Sequence, residues 1–267
     1  MKKFFEKVLV LLVLCSTEPL YGQQMDREIK KEYFLIAHRG GVVDSVTAEN
    51  SALALTKAAQ RRYWMVEIDL RLTRDSVLII HHDRNFKRYY GVDSAVTAMN
   101  WADIKKLEGS LGNKVLTFED ALRLSEKNGI EVMVDNKIQG NDTVLFTKVV
   151  DLLKRYDRLK HAMMIGTDES TAFFTGKVKL TCTREQLEVN MLQPGFNPDH
   201  YLLFAGNITN HDADWASKHK ILAVGTINAW GIKTKDVLGK AGILAKQLKA
   251  AGVKYYQIDS MFDVFFK

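Results

Sequence analysis

Short apolar runs recur along this chain, and several of them end in ionisable residues. Residues 33–37 run into His38-Arg39-Gly40-Gly41. Residues 65–72 alternate, with Val66, Ile68 and Leu70 on one face and Glu67, Asp69 and Arg71 on the other. Residues 77–80 end at His81-His82-Asp83, and residues 130–134 lead into Asp135-Asn136-Lys137. Further strands are expected at 162–165, 177–181, 201–205, 221–226 and 255–258. Helical spacing falls between them, at 48–62, 118–127 (capped by Thr117), 143–156, 215–218 and 236–250.

Strand and helix alternate from start to finish, which argues for a parallel sheet with helices outside it. Around eight strands with polar groups at their C-terminal ends favour closure into a (β/α)8 TIM-type barrel. A length of 267 residues suits one such domain. Residues 84–116 break the alternation: they are polar and irregular, with a short helix expected near 101–107.

The first 22 residues stand apart. Lys2, Lys3 and Lys7 precede an apolar run at 8–14, and Leu20-Tyr21-Gly22 could precede a cleavage point. That is the layout of a secretory signal peptide, followed by a domain at 23–267, and it implies export to the periplasm or beyond the cell. The apolar run is too short to remain as a bilayer-spanning helix, so no stable membrane insertion is expected once it is removed. A lipid anchor on Cys15 is disfavoured by Leu14 before it. Removing three lysines and two glutamates takes the net charge from +6 to +5. That modest surplus, without a dense basic block, does not point to nucleic acid. Cys182 is then alone and can form no internal disulfide.

Glu67 and Asp69 lie two apart on a strand and so share a face. They belong either to a solvated edge or to a site where a cation offsets their repulsion. Asp135 and Lys137 repeat the spacing, as a surface ion pair or as a third carboxylate with a phosphate-binding ammonium. His38 and His82 each end a strand, and a pair of imidazoles can act as base and acid in one turnover.

In order, the chain reads A-H-R-G-G at 37–41, A-E-N-S at 48–51, V-E-I-D-L at 66–70, H-H-D at 81–83 and V-D-N-K at 134–137. This series resembles the glycerophosphodiester phosphodiesterase family, most strongly over 33–137. The resemblance implies a (β/α)8 barrel with a small insertion near 84–116 and hydrolysis of glycerophosphodiesters to glycerol 3-phosphate and an alcohol. It implies His38 and His82 as the acid-base pair. It implies Glu67, Asp69 and Asp135 as ligands of a divalent cation, Ca2+ or Mg2+. Arg39 and Lys137 would bind phosphate, and Glu49 would lie in the site. The oligomeric state stays open.

Several positions depart from the family pattern. Asp135 stands where a glutamate is usual, Ala48 where a proline is, and Ser51 where a threonine is. Gly225 stands at an expected tryptophan that shapes the leaving-group pocket, with Trp230 following. Two other readings therefore accompany the first. One is phospholipase D-like hydrolysis of lysophospholipids, with Phe173-Phe174 and Phe265-Phe266 as a possible apolar rim. The other is a non-catalytic barrel that binds phosphate compounds.

Overall fold

The computed structural model describes residues 32–266. The expected leader at 1–22 lies outside the described residues.

Twelve strands among the described residues are numbered in chain order. β1 (Phe34–Ala37) and β2 (Met65–Leu72) open the barrel. A small excursion follows, with β3 (Leu78–Ile80), β4 (Asn85–Phe86), β5 (Val92–Ala95) and β6 (Leu116–Thr117). The barrel resumes with β7 (Glu131–Asn136), β8 (Met163–Ile165) and β9 (Lys179–Cys182). It ends with β10 (Tyr201–Ala205), β11 (Leu222–Ile227) and β12 (Tyr255–Ile258). From β7 to β12 each strand pairs in parallel with the next, and β2 pairs with β7. β1 pairs in parallel with both β12 and β2, which closes an eight-stranded (β/α)8 TIM-type barrel.

One strand expected in the alternating series lies outside the barrel wall. β3 runs antiparallel to β2. The turn between them is too short for a crossover helix, and Thr73 N donates to Val77 O at 3.0 Å within it. β6 pairs with β3, and β4 with β5, so the insertion is a small β structure rather than an irregular loop. Its side chains Ile79, Phe86, Val96, Ile104 and Val115 form a core of their own.

The main core has two layers. Outward side chains such as Val66, Ile68 and Leu70 pack beneath the helices. Inward ones, among them Ile36, Met65, Met133 and Met163, fill the barrel floor. β2 therefore alternates and yet is buried on both faces, as parallel strands are. The helix expected from residue 48 begins later, at Ala52–Gln60, because Ser51 Oγ accepts from Ala54 N at 3.2 Å and caps it. Helices Asp168–Phe174 and Arg184–Met191 escaped the apolar spacing, and each carries a capping box. No helix among the described residues is long and apolar enough to cross a membrane.

Candidate active site

His38 follows the last residue of β1, and a tight turn begins there. Arg39 takes a left-handed backbone (φ 60°), and its amide donates to Glu67 Oε2 at 2.8 Å. Gly40 and Gly41 also have positive φ. A Cβ on Gly40 would lie 2.6 Å from Asn50 Cα, and one on Gly41 would lie 2.2 Å from Ala54 O. Only glycine allows the segment at 48–55 to approach this closely. That approach delivers Glu49 and Asn50 to the barrel mouth.

Glu67 and Asp69 point into the barrel, each 1% exposed, so the solvated-edge alternative is excluded. Asp135 on the adjacent strand joins them, with ligand oxygens of all three within 4.8 Å of one another. Asn50 Nδ2 holds Asp69 Oδ2 at 2.8 Å. The Lys137 ammonium hydrogen-bonds Asp135 and lies 3.3 Å from Asp69 Oδ1. Glu67 Oε1 is buried and has no hydrogen-bond partner among the described residues. Burial, then the charges of Asp69 and Asp135, push the Glu67 carboxyl well above its ordinary range. Burial also raises Asp135, against the pull of Lys137. Lys137 is itself raised: burial opposes its charge, but Asp135 and Asp69 prevail. An orphaned buried carboxylate oxygen beside two more carboxylates is a donor set suited to a hard divalent cation. The shorter Asp135 still reaches the group.

Each histidine is held through Nδ1 by an aspartate. His38 Nδ1 is 2.6 Å from Asp259 Oδ1, and His82 Nδ1 is 2.8 Å from Asp83 Oδ1. The Asp259 carboxyl also accepts from Ala229 N at 2.6 Å. Nδ1 of each ring is thus committed to a carboxylate, which leaves Nε2 as the nitrogen to exchange a proton. His38 Nε2 lies 3.9 Å from Glu67 Oε2, so the first pair adjoins the acidic trio.

Arg39 Nη1 donates to Glu49 Oε2 at 2.9 Å. Arg88, from the insertion, donates to Glu49 Oε1 at 2.9 Å and to both oxygens of Asp83 at 2.6 Å. Burial would raise Asp83, but hydrogen bonds from Arg88 and His82 outweigh it and hold the carboxyl at about 2. Glu49, His82 and Asp83 form a second candidate ligand group. The two arginines already neutralise its carboxylates, so the buried trio is the better cation site.

Part of this set, His38, Arg39, Glu49, Arg88 and Asp259, lines a cavity of about 300 Å³ together with Trp230 and Met261. All eight residues expected from the sequence therefore fall into one connected set. Sequence reasoning gave no role to Asn50, Asp83 or Arg88, and matched Asp259 to the family's C-terminal pocket positions without pairing it with His38. Asn50 and Asp83 each follow a singled-out residue directly, and Asp259 follows β12 as His38 follows β1. Arg88 sat in the irregular stretch and carried no signal. Gly225 does not line the cavity: a Cβ there would point at Leu248 Cδ1, 2.8 Å away in the outer layer. The suggested aromatic rim is also packed elsewhere. Phe173 and Phe174 pack at a tilt against Phe146, while Phe265 lies against Gly242 and Phe266 against Tyr256. The exposed apolar groups at the mouth are Trp230 and Met261, at 66% and 54% exposure.

A family model, the glycerophosphoryl diester phosphodiesterase family, matches residues 38–254. A human lysophospholipase D is 30% identical over 144 residues, covering 48% of this chain and 44% of its own length. The chain spans 33% to 56% of the length of the first curated relatives it matches. A solved glycerophosphoryl diester phosphodiesterase from Parabacteroides distasonis aligns with a TM-score of 0.68 at 18% identity, covering 88% of this chain and 85% of that one. An Oleispira antarctica phosphodiesterase, solved with the product sn-glycerol-3-phosphate, aligns with a TM-score of 0.64 at 17% identity, covering 87% and 96%. At such identities the solved structures carry the fold alone.

Proposed function

The chain belongs to the glycerophosphoryl diester phosphodiesterase family, and from that premise we propose that it hydrolyses glycerophosphodiesters to glycerol 3-phosphate and an alcohol. The observation that carries this reading is the pair of Asp-held histidines, His38 lining the cavity beside the buried acidic trio and His82 grouped with Glu49 of the same lining. Binding alone needs no such pair.

Arg39 and Lys137 would bind the phosphoryl oxygens as their charge grows in the transition state. One imidazole Nε2 would take the proton of the nucleophile, a water or the neighbouring glycerol hydroxyl. The other would give a proton to the departing alkoxide as the phosphorus–oxygen bond breaks. With Nδ1 of both rings on Asp259 and Asp83, the base would start as the neutral ring with Nε2 free, and the acid as the imidazolium, protonated at Nε2. Glu67, Asp69 and Asp135 would hold a divalent cation, Ca2+ or Mg2+, which when bound supplies charge neutralisation at the phosphoryl group.

The test is release of glycerol 3-phosphate by residues 23–267 from a panel of glycerophosphodiesters, with calcium, with magnesium and with chelator. Chelator-sensitive release that His82→Ala abolishes is the expected result. No release from any panel member by folded protein would overturn the reading.

A second substrate class is favoured by one observation. Trp230 and Met261 offer exposed apolar surface at the cavity mouth, where an acyl chain of a lysophospholipid would lie. Turnover that rises when such a substrate forms micelles would select this class. The leader-like pattern at 1–22 supports export. Mature protein recovered outside the cytoplasm with a new N-terminus near residue 23 is the result expected of it.

A further inference from the structure

We propose that Arg88 is the positioning residue through which the insertion completes the site, holding His82 by way of Asp83 and Arg39 by way of Glu49. The inference rests on the phosphodiesterase reading above and assigns a role within it.

The bonding is continuous. His82 Nδ1 meets Asp83 Oδ1 at 2.8 Å. Arg88 Nη2 meets that same oxygen at 2.6 Å, and Arg88 Nε meets Asp83 Oδ2 at 2.6 Å. Nη2 also reaches Glu49 Oε1 at 2.9 Å, and Glu49 in turn accepts from Arg39 Nη1. One guanidinium thus ties the carboxylate behind a histidine to the carboxylate behind a phosphate-binding arginine. The two carboxylates approach each other closely enough to share a candidate ligand group with His82. Without a cation between them they would repel, and both His82 and Arg39 would lose a fixed partner.

The surroundings hold Arg88 in place. It lies in a short helix, Lys87–Tyr90, directly after β4. Phe86 before it is buried in the insertion core and stacks on His81, with ring centroids 4.8 Å apart. The Tyr89 ring lies 4.3 Å from the guanidinium carbon. His81 Nε2 is 2.9 Å from Asn85 O, which fixes the strand end that carries His82. A lysine cannot replace this arginine. Its ammonium is a point charge that cannot fork across Asp83 and reach Glu49 together.

The geometry sets the kinetic expectation. A positioning residue acts on the arrangement of the chemistry more than on substrate affinity, and small misplacements cost about a hundredfold in rate. Arg88→Ala should lower kcat by about 10²-fold and change KM by less than about threefold. Added guanidinium ion at tens of millimolar should restore part of that kcat. Arg88→Lys should stay as slow as Arg88→Ala, because charge alone does not supply the fork. Lys87→Ala is the control: its ion pair with Asp93 is exposed, and activity should not change.

The experiment measures these variants against wild type and records histidine ring signals by nitrogen NMR, with His82 assigned from His82→Gln. In wild type the His82 Nδ1–H signal should be protected, and in Arg88→Ala it should exchange freely, while His38 stays unchanged. A purely KM effect, a kcat restored by Arg88→Lys, or an unaltered His82 signal would overturn the proposal. Wild type inactive on every substrate would remove the phosphodiesterase reading, while the His82 signal would still decide the role of Arg88. Should Arg88→Ala fail to fold, Arg88→Gln carries the same expectations.

Discussion

His38 Nδ1 and Asp259 Oδ1 stand 2.6 Å apart, joining a residue at the end of β1 to one at the end of β12. Burial would raise the Asp259 carboxyl, but the hydrogen bond and charge of His38 outweigh it and hold it below its ordinary value. A carboxylate in this position fixes the ring tautomer and stabilises the imidazolium that forms in turnover. Asp259→Asn should therefore lower kcat by about 10² to 10⁴-fold with the fold intact, as wrong-tautomer substitutions do. Steady-state kinetics beside circular dichroism checks this. Near-wild-type kcat would remove Asp259 from the reaction.

Cation binding should appear in stability as well as in rate. At a hundred times Kd a ligand of the native state adds about 2.7 kcal/mol. For a domain of this size that raises Tm by roughly 5–10 °C. Glu67→Gln should abolish most of that rise. The same change should stabilise the cation-free protein near neutral pH, because the buried carboxyl prefers its proton. The sign follows from the raised value: the native state is penalised above the unfolded carboxyl pKa, so the cation should stabilise more at pH 8 than at pH 5. Thermal melts with and without calcium or magnesium test this. An undiminished rise in Glu67→Gln would place the cation elsewhere.

Gly41→Ala should be severe. The new methyl would meet Ala54 O at 2.2 Å on a backbone with φ 136°. Relief requires moving the segment that carries Glu49 and Asn50. A loss of about 2–4 kcal/mol is expected in denaturant unfolding, with activity falling further than stability. Unaltered activity in the folded variant would show that this turn does not set the site.

Substitutions at Gly225 and Trp230 should separate packing from substrate choice. Gly225→Trp should cost about 1–3 kcal/mol by overpacking against Leu248, with no gain in turnover. Trp230→Ala should leave stability within about 0.5 kcal/mol, since the side chain is exposed, and should raise KM for any substrate with an apolar alcohol. Equal effects on small and apolar substrates would remove Trp230 from specificity.

Much of the fold was legible because period-2 and period-3.6 patterns report which faces are buried. The Glu67-x-Asp69 pair was legible for the same reason, since its strand alternates cleanly. The strand at 77–80 was misassigned to the series because a buried apolar run looks alike in parallel and antiparallel pairing, and only the turn at 73–77 distinguishes them. Helices Asp168–Phe174 and Arg184–Met191 were missed because they are short, although their capping residues Thr167 and Thr183 marked their starts. Barrel closure sets β1 beside β12, but the pairing of His38 with Asp259 depends on the register between those strands, which the sequence pattern does not give. Arg88 depends on the fold of the insertion, which its polar sequence does not announce.

The joining of β1 to β12 has a consequence for the order in which this protein is made. A chain emerging from the ribosome presents His38 more than two hundred residues before Asp259 exists. Until β12 is synthesised, β1 has only one of its two barrel neighbours and His38 has no carboxylate at Nδ1. Domains that depend on such distant pairings assemble late. Nascent and C-terminally shortened chains should therefore be catalytically silent, and hydrolysis should begin only when the last strand seals the barrel.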